Sequence, residues 1–223
     1  MVGIARREDK LKHWCETCEG ETSYYLADVS KRKNIKNIVL DIIDKEGEPD
    51  ILVNAAGINT REHADDVTLE GWDKTLDLNL STPFFMAQSV IECMKKKNWG
   101  RIINYASLAS RRALPSSISY GASKGGIEQL TRAMAEAWSK YGINTNAIAP
   151  GFFIGKQNKS LLLNEDGSLT HRGEKIIKNT PMKRFGKSEE LNGAIHFLCS
   201  DSSKFVTGIV LPVDGGFSAY SGV

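Results

Sequence analysis

A chain of 223 residues with 41% hydrophobic and 25% charged residues has ordinary globular composition, which excludes a disordered or fibrous protein. Its formal net charge of +2 is too small for a nucleic-acid partner, and its basic residues are interleaved with acids, as in KRKNIKNIVLDIIDKE. No apolar run approaches the roughly 20 residues that span a bilayer, and the start MVGIARREDK lacks the form of a secretory signal, so a cytoplasmic protein with reduced cysteines and no membrane partner is expected.

In chain order, apolar runs of strand length fall at 2–5, 23–27, 51–54, 101–106, 144–149 and 208–212, with segments of helical character between them. That alternation predicts an α/β protein, a single domain over 1–223 with helices on both faces of a parallel sheet. After the first strand, Cys15 and Cys18 form a lone C-x-x-C beside His13. A structural zinc site needs four ligands, and no second pair is present, so these read as helix residues and no metal site is expected.

The clearest helix is 30–45, where Ile35, Ile38, Val39, Ile42 and Ile43 recur at one face and Ser30 is placed as N-cap. Two longer helical segments, 72–97 and 119–141, can cross the sheet and still present a further face, which suits a homo-oligomer, a dimer or a homotetramer. Cys93 and Cys199 lie in apolar patterns and read as core. From 152 to 184 the period weakens and Asn, Gly, Asp and Pro accumulate, which suits a mobile lid over a site better than a second domain.

Tyr120 and Lys124 are four residues apart, one helical turn, so they share a face. A free tyrosine titrates near pH 10, and a neighbouring ammonium favours the phenolate, which would make Tyr120 a proton-exchanging group. Ser107 follows the strand at 101–106, where ligands collect in doubly wound sheets. A Tyr–Lys pair can instead serve surface packing, and a serine after a strand can simply cap a helix.

Four stretches occur in one order and spacing: Asn54-Ala55-Ala56-Gly57, Asn79, Ser107 with Tyr120-x-x-x-Lys124, and Ala149-Pro150-Gly151. In these the chain resembles the short-chain dehydrogenase/reductase family. The resemblance implies a Rossmann-like fold and an NAD(P)-dependent oxidoreductase, with Asn79, Ser107, Tyr120 and Lys124 as its catalytic residues. Lys124 would also hold the nicotinamide ribose, and Asn79 would join a water-linked proton relay. Arg6, Asp28, Val29, Asn54, Ala55, Ala56, Gly57, Tyr120, Lys124, Pro150 and Gly151 would line the cofactor. Asp28 would sit by the adenine or cap the following helix. Arg6 and Arg7 suit the 2′-phosphate of NADP or are plain solvated charges, which leaves NAD and NADP both open.

The stretches Gln157-Asn158, 166–173, Thr180-Pro181-Met182 and 213–223 are similar to those of D-mannonate oxidoreductases (fructuronate reductases), with gluconate 5-dehydrogenases a close second. That branch implies interconversion of a secondary alcohol and a ketone on a sugar acid. Ser107 would hold the reacting oxygen and Arg111, Arg112 or Arg172 the carboxylate, unless these are ordinary surface arginines.

The chain departs from the family at its start, where no T-G-x-x-x-G-x-G turn occurs. The run at 2–5 looks like the family's second strand, so the place of the first strand and its phosphate-binding loop must be made good. Either the outer strands move inward, so that 2–5 pairs with 51–54 and residues 6–9 stand where the loop should be, or a longer chain carries the unit. Cofactor binding turns on that choice. The rival to an enzyme is a catalytically silent homologue that serves as an assembly partner.

Overall fold

The computed structural model describes residues 1–155 and 158–222, so Gln157 and Val223 of the stretches above lie outside the described residues. It is an α/β fold with two parallel sheets. β1 (Val2–Ala5) runs through α1 (Glu8–Thr17) to β2 (Ser23–Leu26), its parallel neighbour. α2 (Ile35–Glu46) leads to β3 (Ile51–Asn54), which opens the second sheet. That sheet has the order β3-β4-β5-β6, with β4 at Gly100–Tyr105, β5 at Ile143–Pro150 and β6 at Val210–Val213. Every pairing is parallel.

The connections are helical: α3 (Leu69–Leu76) and α4 (Thr82–Lys97) before β4, then α5 (Ile118–Trp138) before β5. α6 (Lys159–Leu162), α7 (His171–Asn179) and α8 (Asn192–Cys199) precede β6. Ile102, Ile103, Ile143, Ala147 and Ile148 on β4 and β5 have no exposed surface, the pattern of strands covered on both faces. The apolar stripe of α2 docks as its spacing requires. Ile35 and Val39 pack with Met86, Val90 and Met94 of α4 over Ile102 and Ile143. Each such side chain contributes about 1.5–3 kcal/mol on burial, and that tertiary gain is what makes so short a helix stable.

Four expectations need correction. Ser30 is not the cap of α2, because its amide and hydroxyl both donate to Asp28 Oδ1, at 3.1 and 2.7 Å. A 3-10 turn (Arg32–Asn34) intervenes, and α2 starts at Ile35. The helix expected over 72–97 begins earlier, at Leu69. Thr68 caps it by accepting from the Gly71 amide at 3.0 Å, and a π turn (Asp77–Ser81) joins α3 to α4. The segment 152–184 is more ordered than its weak period suggested, holding α6, α7 and an antiparallel bridge between Leu163 and Leu169. Only Gly173 and Ile176 of α7 are buried, which is too few to leave a periodic trace. Cys15 lies in α1 and Cys18 at its C-cap, both as free thiols.

The fourth correction concerns β1, which pairs with β2 and not with β3. The inward shift does not occur, because β1 is anchored on both faces. A Cβ on Gly3 would strike the Trp14 ring of α1 at 2.7 Å, and Ile4 packs into the α2–α4 core to which Leu52 of β3 also belongs. Moving β1 by one strand width, about 4.8 Å, would strip Ile4 from that core. β1 and β3 therefore face each other across a slot floored by α2 and α4, and Ile51 and Val53 are left 43% and 41% exposed. The outward amides of β3 are expected to exchange hydrogen at least about a hundredfold faster than those of β4 and β5, since edge groups open locally. Equal protection in an exchange experiment would show that the slot is closed.

Candidate active site

The C-terminal ends of β1, β3, β4 and β5 open on one cavity of about 700 Å³, lined by Arg7, Ala55 and Gly57, by Tyr105 to Ser107, and by Pro150 and Gly151. Tyr120 and Lys124 enter it from α5, and Asn158, Leu161, Leu162 and Arg172 roof it from the 152–184 segment. Ligand sites of doubly wound sheets lie at this end.

Ser107 leaves β4 and heads a 3-10 turn (Leu108–Ser110). Its hydroxyl accepts from the Ala109 amide at 3.1 Å, and Ser107 and Tyr120 line the same cavity. Lys124 is buried and donates from Nζ to the Tyr105 carbonyl at 2.6 Å, with Nζ 5.7 Å from the centre of the Tyr120 ring. Burial pulls its pKa down from 10.5 to about 8.

The expected electrostatics of the pair are corrected here. Burial raises the Tyr120 pKa above 10, and what opposes this is the Ser107 hydrogen bond and the charge of Arg61. Lys124 is not among the groups that lower it: its Nζ donates to the Tyr105 carbonyl and lies 5.7 Å from the centre of the ring.

Asn79 lies on the π turn, almost fully buried. It accepts from the Ile58 amide at 2.8 Å and donates to the Ile58 carbonyl at 2.8 Å and to Ser123 Oγ at 3.1 Å. It pins the loop after β3 against α5. A Cβ on Gly57 would sit 3.2 Å from Asn79 Oδ1 and 3.8 Å from Lys124 Nζ, so a side chain there would crowd Asn79. Gly151 is more tightly constrained, since a Cβ there would come 2.6 Å from the Asp214 backbone.

The structure does not bring every predicted residue to the cavity. Asn54 is buried behind it, donating to the Pro83 carbonyl and to Asn104 Oδ1 at 3.3 and 3.0 Å. Ala56 is exposed beside it. Asp28 closes its own turn onto Ser30, within reach of the charge of Arg6, and the Val29 carbonyl accepts from Thr82 Oγ1 at 3.0 Å. Arg7, not Arg6, lines the cavity. Arg111 is bound to Glu128, Arg112 donates to the Ser218 carbonyl at 3.1 Å, and both border a separate cleft.

Arg61 was not legible in the sequence. It lines the cavity from the loop after β3 in the left-handed region, at φ 59°, a conformation costing about 1–2 kcal/mol for a residue with a Cβ. Asn59 holds it there by accepting from the Arg61 amide at 3.1 Å, while its own amide donates to Ser117 Oγ at 3.1 Å. No periodicity marks such a residue.

Over residues 2–218 the chain matches the family model described as Enoyl-(Acyl carrier protein) reductase. It belongs to this short-chain dehydrogenase/reductase family of NAD(P)-dependent oxidoreductases. The uncharacterized oxidoreductase UxuB of Bacillus subtilis is 39% identical over 213 residues, covering 88% of this chain and 77% of that protein. A structure provisionally assigned as a D-mannonate oxidoreductase from Haemophilus influenza, with bound NAD, superposes with a TM-score of 0.89. It is 34% identical, and the match covers 100% of this chain and 87% of that one. A gluconate 5-dehydrogenase from Burkholderia cenocepacia in complex with NADP and tartrate also gives 0.89, at 32% identity over 98% of this chain and 85% of that one. Among the described residues no helix is long and apolar enough to cross a membrane.

Proposed function

We propose that the protein interconverts a secondary alcohol and a ketone on a sugar acid with NAD or NADP. The carrying observation is the convergence of Ser107, Tyr120 and Lys124 on a cavity that also holds Arg61 and Arg172. In the reducing direction the Tyr120 phenol donates its proton to the substrate carbonyl oxygen, and in the oxidising direction Tyr120 takes that proton from the alcohol. Ser107 holds the same oxygen. Lys124 presents an ammonium to ribose hydroxyls, and Asn79, beside it, keeps the loop wall in place for a proton relay. Lined by Ala55, Gly57, Pro150 and Gly151, the open wall between Lys124 and the strand ends fits a nicotinamide nucleoside, which when bound supplies or accepts the hydride.

Arg61 and Arg172 are the carboxylate anchors in this reading, while Arg111 and Arg112 drop out because they border a separate cleft. Relatives act on such substrates by name, and tartrate, a dicarboxylate, accompanies NADP in one of them. Arg61→Gln and Arg172→Gln are each expected to raise KM for a sugar acid about ten- to a hundredfold, the value of a charge-assisted pair. The same variants should barely change KM for a neutral polyol, and an equal rise for both substrates would remove the carboxylate assignment.

The second reading is a catalytically silent homologue that serves as an assembly partner; among the described residues no glycine-rich turn lines the cavity. Calorimetric titration with NADH and NADPH separates the two. Micromolar binding followed by turnover of mannonate, fructuronate or gluconate supports the enzyme, and no binding of either nucleotide rules out turnover by residues 1–223 on their own. Assembly as a homo-oligomer is part of the proposal, with Phe197, Phe205 and Ile209 offering exposed apolar surface for a second copy.

A further inference from the structure

α5 carries a carboxylate that the chemistry above leaves unused. Glu128, one turn beyond Lys124, is buried, yet it binds two guanidiniums. Arg111 donates to it three times, from Nε at 2.9 and 3.0 Å and from Nη2 at 2.6 Å, and Arg132 Nη2 donates to the same Oε1. The two arms differ in kind. Arg132 is on α5 itself, four residues on, so its bond stays within one helix. Arg111 belongs to the turn that Ser107 begins.

That turn is fastened to α5 at two levels. Ser110 Oγ donates to the Lys124 carbonyl at 2.7 Å, and one helical turn further along Arg111 grips Glu128. Within it, the Ser110 amide donates to the Ser107 carbonyl at 3.0 Å and the Arg111 amide to that of Leu108 at 3.1 Å. Fixing Arg111 therefore fixes Ser107 through a few short bonds. Tyr120 sits on the same helix as both fastening points, so the distance between the serine hydroxyl and the phenol is set by how this turn lies on α5. A guanidinium held in two places by one carboxylate defines an orientation as well as a position, which a single hydrogen bond does not.

We propose that Glu128, acting through Arg111, is a positioning residue that sets the Ser107 hydroxyl against Tyr120. The inference rests on the reading in which Ser107 and Tyr120 act on one substrate oxygen. Three variants test it: Glu128→Gln, Arg111→Gln and Arg132→Gln. The first two are expected to lower kcat about tenfold with KM unchanged, the scale of a sub-ångström misplacement at a reacting group. They should also speed amide hydrogen exchange at Ala109 and Arg111. Arg132→Gln removes a bond to the same carboxylate without touching the turn, so it should leave kcat and turn exchange within about twofold of wild type. A generic structural role predicts instead that all three behave alike, and that result overturns the proposal. So does wild-type exchange in Arg111→Gln. If the wild-type chain turns nothing over, the oxidoreductase reading fails on its own account, and the exchange measurement alone still decides whether the clamp holds the turn.

Discussion

A Tyr120→Phe variant is expected to lose turnover about a thousandfold in both directions, within the range of a lost general acid–base, while binding nicotinamide nucleotide as the wild type does. The substitution keeps the ring and removes only the O–H, so packing in the half-buried site is unchanged. Burial holds the Tyr120 pKa above its ordinary 10, with Ser107 and Arg61 pulling the other way. At neutral pH the group is therefore protonated and ready to donate to a carbonyl, so reduction should be nearly flat through neutral pH. Oxidation needs the phenolate and should climb with pH until the phenol has titrated. Steady-state kcat in both directions against pH, with calorimetry on the variant, checks this. A loss below about tenfold would remove Tyr120 from the proton path.

What the sequence made legible follows from what is local in it. The strands were placed to within about two residues, because β4 and β5 are buried on both faces and so read as continuous apolar runs. Tyr120 and Lys124 share a face since four residues of helix permit nothing else. The electrical relation between them was not local. It depends on the Tyr105 carbonyl, which belongs to another element and takes the ammonium. Arg111 shows the same limit, since the residue that claims it lies 17 positions away on a different element. Arg61 reaches the cavity only because Asn59 supports a left-handed backbone, a feature of loop geometry with no period. The slot was legible as a problem and not as a solution, because whether β1 slides toward β3 is decided by Gly3 against Trp14 and by Ile4 in the α2–α4 core.

Lys124→Met is expected to abolish turnover and yet make the folded protein more stable at neutral pH. Burial lowers the Lys124 pKa from 10.5 to about 8, so at any pH below 8 the fold carries a desolvated ammonium at a cost of about 3 kcal/mol. Methionine fills similar volume without charge and removes that cost. Losing the charge-assisted bond to the Tyr105 carbonyl takes back at least about 1.5 kcal/mol, which leaves a net gain of up to about 1.5 kcal/mol. For a chain of this size that amounts to up to about 3–6 °C in Tm. The pH dependence has a definite sign. Between about 8 and 10.5 the folded lysine has shed its proton while the unfolded one keeps it, so the unfolded state binds more protons and wild-type stability rises with pH. The advantage of the variant should therefore shrink across that window and vanish or reverse above it, where only the lost hydrogen bond remains. Thermal melts of both proteins at pH 7 and pH 10 decide the matter. A variant less stable by the same amount at both values would mean that Lys124 carries no burial cost, and its place in the site could not then be explained as stability given up for catalysis.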